Sequence, residues 1–307
     1  MSLRRLFVAL CATAVGLFLA ARAFGPIDLP AVSAAIARAD LRLIALAGGC
    51  MLLTITARTA RAVRILRSAG AAAPPAQIRD VFLASWWLNT TLPARAGDAY
   101  RIAALRATSG GGRAMGALVA ERAIDMMAVA LIAAIAVTVR FGDQVPPAIA
   151  IAVIIAAVVA TTAAVFILVA GRVRDRLPHP LLRRAASGIA EVTSALRPVA
   201  GTTLLLTIVG WGAEVARFAV VATAVGSIDY IGLDGAAATA VVAALLSTVP
   251  FSPAGLGVAE AGVAVMATAA GVPGEIAAAA VVLDRLCSTG VVILGGLPFA
   301  VRRLARR

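Results

Sequence analysis

Ionisable side chains interrupt the apolar sequence in a few tight groups: Glu121, Arg122 and Asp125; Glu214 and Arg217; Glu260; Asp284 and Arg285. A further group, Arg95, Asp98 and Arg101, follows a short apolar arm that carries Asn89. An ionised group at the centre of a bilayer costs about 2.5–3.5 kcal/mol on insertion scales, so such residues face a bundle interior or a hydrated cavity. Glu214 and Arg217 are spaced to pair along one helix face, and Glu121 and Asp125 share a face with Arg122 beside them. Two breaks echo each other, Pro93-Ala94-Arg95-Ala96-Gly97 and Pro253-Ala254-Gly255-Leu256-Gly257. Unwound backbone at such breaks frees N–H groups for anions. Arg95, Arg101, Arg122 and Arg285 could receive a phosphate as planar forks. Glu260, just after Gly257, stands at an expected helix start, where the dipole favours an acid. The competing role for all these charges is structural, as ion pairs that fix helix packing.

Other chemistries are excluded by composition. All 28 basic residues are arginine. Without lysine there is neither a P-loop phosphate clamp nor a Schiff base. The net charge of +13 is spread between apolar runs, with no soluble domain to form a nucleic-acid groove. It reads as topology signals and anionic-lipid contacts. Arg58, Arg61, Arg64 and Arg67, three apart, are expected along one side of a helix leaving the membrane, against anionic lipids at the cytoplasmic face. The single histidine, His179, sits between prolines in a loop, and Cys11, Cys50 and Cys287 lie within apolar runs. No metal site and no cofactor is expected.

The elements that must position the charges are membrane helices. The sequence is 62% hydrophobic, in non-alternating runs rich in Ala, Val, Leu and Ile. About 20 helical residues cross a hydrocarbon core, and only helices and closed barrels satisfy the backbone there. Leu6–Phe24 is read as a retained first span rather than a signal peptide, and Leu41–Ala57 as the second. Gly110-Gly111-Gly112 reads as a flexible joint before a run from Met115 to Val139, and Asp143–Pro147 as an outside turn. Ala148–Ala170 then returns to a basic cytoplasmic segment, Arg172–Arg197. Thr202–Val225 is a span, Ser227–Asp234 an outer loop, and Glu275–Val301 the last span. The arms Ile78–Leu92, Gly235–Val249 and Ala261–Ala270 are too short for full crossings. The expectation is an all-α polytopic membrane protein of about six full spans plus two re-entrant helical hairpins arranged as an inverted repeat. One domain spans residues 1–307, with pseudo-repeats near 41–140 and 202–301. Most arginines fall on the cytoplasmic side of this layout, which puts both termini inside and the chain in the bacterial inner membrane.

The stretch from Asn89 through Pro93, Arg95, Gly97 and Asp98 to Arg101, then Glu121-Arg122-Ala123-Ile124-Asp125, then Pro253 to Glu260, resembles the lysylphosphatidylglycerol synthase transmembrane-region family. Arg61 and Arg64 fit its pattern, and Asp98 stands where the family often has Glu. The resemblance covers nearly the whole chain. It implies movement of lipids between leaflets, such as aminoacylated phosphatidylglycerol, other phospholipids or polyprenyl-linked lipids. No cytosolic synthase domain accompanies these residues, so lipid aminoacylation is not expected.

The resulting expectation is a lipid flippase or transporter, not an enzyme. Its substrate groove would be lined by Asn89, Arg95, Gly97, Asp98, Arg101, Glu121, Arg122, Asp125, Glu214, Arg217, Gly255, Gly257, Glu260, Asp284 and Arg285. The alternatives are an accessory subunit of a lipid synthase or glycosyltransferase, and an integral-membrane lipid-modifying enzyme. For the enzyme, Asp229 and Asp234 are the close Asp pair available, and nothing surrounds them. The small-residue pairs Gly48-Gly49 and Gly295-Gly296 permit close helix contacts, within the chain or in a homodimer.

Overall fold

A computed structural model of the chain describes residues 28–92, 95–141, 169–247 and 255–304, with isolated helical positions at 18 and between 151 and 165. The expected span Leu6–Phe24, the turn Asp143–Pro147, most of the run Ala148–Ala170, and Pro93, Ala94, Pro250 and Pro253 lie outside the described residues. Among the described residues every regular element is helical.

Two short-range caps open the described chain. The Asp28 carboxylate accepts from the Ala31 N–H and starts α1 (Leu29–Arg38). Asp40 does the same for Arg42, 2.8 Å away, and starts α2 (Leu41–Ser68). Helix α1 was not foreseen from sequence. Helix α2 runs unbroken for 28 residues, about 42 Å, so the expected second span and its arginine tail are one rod. Next come α3 (Pro75–Thr91) and α4 (Ala96–Ser109), then α5 (Gly111–Phe141). The expected glycine joint narrows to Gly110 alone, whose φ is +77°; Gly111 and Gly112 are already helical. The amphipathic α6 (Pro180–Leu196) packs on α5, where Gly112 and Gly116 let its backbone approach at Gly188.

Helix α7 (Ala200–Ala224) lies along α2 in the most extensive helix pairing of the structure. Helix α8 (Ile228–Leu246) begins inside the segment expected to be an outer loop and is broken at Gly232. The part beyond that break, from Leu233, spans only about 21 Å. Helices α9 (Val258–Ala269) and α10 (Gly274–Arg285) follow. A π-helical turn, Leu286–Gly290, joins α10 to α11 (Val291–Leu304), so the expected last span is one helix with a bulge.

The short arms fold as helical hairpins. In the first, Asn89 exchanges hydrogen bonds with Asp98: its amide donates to Asp98 Oδ1 at 2.8 Å, and its Oδ1 accepts from the Asp98 N–H at 3.2 Å. The open end is tied where the Ala72 N–H donates to the Thr108 carbonyl. A Cβ on Gly97 would lie 1.8 Å from the Ser85 carbonyl oxygen, so only glycine lets α4 fold back on α3. In the second, α9 returns along α8, and a Cβ on Gly255 would lie 2.4 Å from the Ser247 Cα.

Helices Leu41–Ser68, Gly111–Val139 and those within Leu182–Ala224 and Gly274–Arg303 are long and apolar enough to cross a membrane, as is Ile228–Leu246 when both sides of its Gly232 break are counted together. Their outer faces carry large side chains such as Leu131, Ile135, Leu204, Leu205, Ile208 and Leu294, each more than half exposed. A soluble protein does not leave such a belt in water.

Candidate functional site: a cavity of paired charges

The inner faces of the two hairpins and of α2, α5, α7 and α10 enclose a cavity of about 240 Å³. The two hairpins bring Asn89, Arg95, Asp98 and Arg101 from one side and Glu260 from the other. Helix α5 adds Glu121, Arg122 and Asp125; α7 adds Glu214 and Arg217; α10 adds Asp284 and Arg285. These twelve of the expected site residues therefore meet on one cavity wall. Gly97, Gly255 and Gly257 do not line it; they make the turns that bring the hairpins close, and Gly257 has φ +90°.

The charges pair across helices. Arg101 and Glu121 form a two-pronged ion pair, with Nη1 2.8 Å from Oε2, and both side chains are almost fully buried. Arg101 also stacks over the Phe82 ring at 5.0 Å. Asp98 is shared by Arg122 at 3.2 Å and Arg95 at 3.5 Å. Among the described residues Arg95 is the one non-glycine with positive φ, +51°. Such backbone persists where the surroundings over-determine it, often at functional sites. Arg217 bridges Glu214, at 3.1 Å, and Asp284. Glu260 Oε2 accepts from the Gly257 N–H at 2.6 Å, closing the start of α9, while Oε1 meets Arg285 Nε at 2.6 Å.

The expected arginine stripe on α2 divides. Arg64 and Arg67 are exposed, but Arg61 is buried and donates to Asp125 at 2.8 Å and to Thr207 at 2.9 Å. Arg58 also turns inward, with Glu214 at 3.6 Å. Successive helical residues turn by about 100°, so a spacing of three drifts about 60° per step. Four such residues cover half the helix circumference, not one side. Arg58 and Arg61 thus belong to the cavity and not to the lipid surface. The buried face of α2 runs through Ala47, Met51, Thr54 and Ala57 and continues into Arg61.

Two further side chains were not singled out by sequence. Trp211 Nε1 donates to Asp125 at 3.1 Å, and the ring faces the Arg58 guanidinium at 4.7 Å. Trp86 lies 5.6 Å from the same guanidinium on α3. Among the described residues seven arginines and six carboxylates line the cavity, and every one of these carboxylates is within 4.0 Å of an arginine. Such a wall can hold a polar group at hydrocarbon depth, because each carboxylate is already paired before anything binds.

A family model described as the lysylphosphatidylglycerol synthase TM region matches residues 7–296. The chain belongs to the lysylphosphatidylglycerol synthase transmembrane-region family. Among curated proteins no match is found. As a member of this family with several long apolar helices, the chain is a multi-pass membrane protein, and the family's description ties it to membrane lipid.

Proposed function

We propose that this family member carries a phospholipid or lipid-linked headgroup between the leaflets of the bacterial inner membrane. The supporting observation is the cavity itself: charged side chains from both hairpins and from α2, α5, α7 and α10 converge among helices whose outer faces are apolar. A headgroup needs such a lining to cross hydrocarbon, while its acyl chains stay in lipid. In this reading the two hairpins are re-entrant and enter from opposite leaflets as an inverted repeat. The exposed arginines of α6 and the end of α2, with both termini, lie on the cytoplasmic side. About six full spans complete the layout.

The test is reconstitution in liposomes with fluorescent phospholipids. Leaflet exchange should exceed that of protein-free liposomes, and Arg122→Ala or Glu260→Ala should reduce it. Exchange at the protein-free rate refutes transport; lipid modification without exchange favours an enzyme instead.

A further inference from the structure

We infer that the cavity selects lipids with a net negative headgroup and discriminates against headgroups carrying excess ammonium groups. This rests on the transport reading and adds the substrate class to it.

The charge count is the first ground. Among the described residues seven guanidiniums face six carboxylates, so this lining keeps one positive charge in excess. The second ground is which partner of each pair is presented. The Arg122, Arg95 and Arg285 side chains are 41%, 28% and 25% exposed. Their carboxylate partners, Asp98 and Glu260, are 18% and 12% exposed. An incoming group therefore meets N–H donors first, with the acids set behind them.

The third ground locates the excess. Arg58 has Glu214 as its ion-pair partner, at 3.6 Å, and that carboxylate is held more closely by Arg217 at 3.1 Å. The Nε and Nη2 atoms of Arg58 have no hydrogen-bond acceptor, and its guanidinium lies against the Trp86 and Trp211 rings. A phosphodiester in the cavity supplies the negative charge that this buried guanidinium lacks. An ammonium group adds to the excess. To be held here it would have to draw a carboxylate off its arginine and leave a buried guanidinium unpaired. A lysyl ester of phosphatidylglycerol brings two ammonium groups against one phosphate, so it is the poorer fit.

The experiment uses the purified full chain in proteoliposomes with three lipids bearing the same short-chain acyl label: phosphatidylglycerol, phosphatidylethanolamine and lysyl-phosphatidylglycerol. Exchange is read by extraction of the label from the outer leaflet with albumin. Phosphatidylglycerol should move at least about tenfold faster than the lysyl ester, a modest ratio for two charges acting through partly screened protein. Phosphatidylethanolamine should fall between. Arg58→Gln and Arg122→Gln should each narrow the ratio. Arg122→Gln keeps the test open if the Arg58 variant fails to fold, since its side chain is the most exposed of the lining guanidiniums in ion pairs. A lysyl ester that moves as fast as phosphatidylglycerol overturns the selectivity while transport stands. A ratio unchanged in a folded Arg122→Gln variant overturns its assignment to the cavity charge. Absence of exchange for all three lipids overturns both readings.

Discussion

Neutralising Glu121 should unfold this protein more readily than any comparable change at Arg122. Glu121 and Arg101 face each other with side chains 6% and 4% exposed and two hydrogen bonds between them. Removing one partner of a buried pair costs about 3–5 kcal/mol, because the other charge is stranded. Arg122 meets Asp98 at 3.2 Å with 41% of its side chain exposed, a geometry worth no more than about 1 kcal/mol. The assay is reversible denaturant unfolding in mixed micelles for Glu121→Gln, Arg101→Gln, the double variant and Arg122→Gln. Each single change at the buried pair should cost at least about 3 kcal/mol, and the double variant clearly less than their sum, a coupling of at least about 1.5 kcal/mol. Replacing Arg101 with Met and Glu121 with Leu together should recover most of the loss. Two independent, additive effects below about 1 kcal/mol would refute the claim that this pair is a desolvated unit.

Three other outcomes follow from the geometry. Gly97→Ala should destabilise by roughly 2–4 kcal/mol and lower the folded yield, since its Cβ would meet the Ser85 carbonyl backbone; Gly48→Ala, with nothing within 4 Å, should stay within about 0.5 kcal/mol. Gly188→Ala should loosen α6 from α5, because the new methyl would lie 2.0 Å from the Gly112 carbonyl oxygen; limited trypsin digestion should then cut faster at the exposed Arg183 and Arg184 of α6. In a cysteine-free background, Ser288→Cys, on the cavity wall, should react with a charged thiol reagent, whereas Ile208→Cys, on the apolar outer face, should not. Equal labelling of the two would contradict a hydrated interior.

Much of the frame was legible because hydrocarbon imposes a simple rule: a run of apolar residues must be helical, and a charge within it must find company. The Glu214–Arg217 pair, a local contact on one helix, was read directly from spacing. Non-local pairing was not. Glu121 and Arg122 are neighbours in sequence, yet they point to different partners, Arg101 and Asp98. Adjacent helical residues diverge by about 100°, so adjacency says nothing of contact. Helix α1 escaped notice because its ten residues form no long apolar run, although Asp28 and Pro30 mark its start. The break at Gly232 falls inside the segment expected as an outer loop, Ser227–Asp234; the helical turn that already starts at Ile228 was not legible, because Asp229 and Asp234 mark that stretch as polar.

The π turn at Leu286–Gly290 amounts to one extra residue spliced into a helix. Everything after it is rotated by about 100° relative to an unbroken α-helix. Before the splice, the rod aims Asp284 and Arg285 at the polar interior; after it, Gly296 faces Trp87 of the first hairpin so closely that a Cβ added there would lie 2.9 Å from the Trp87 Cβ. A single rod thereby obeys two angular indices, one set by electrostatics and one by steric fit. Excising one residue from the splice would force a choice between them, so this stretch should tolerate substitution far better than a change in length.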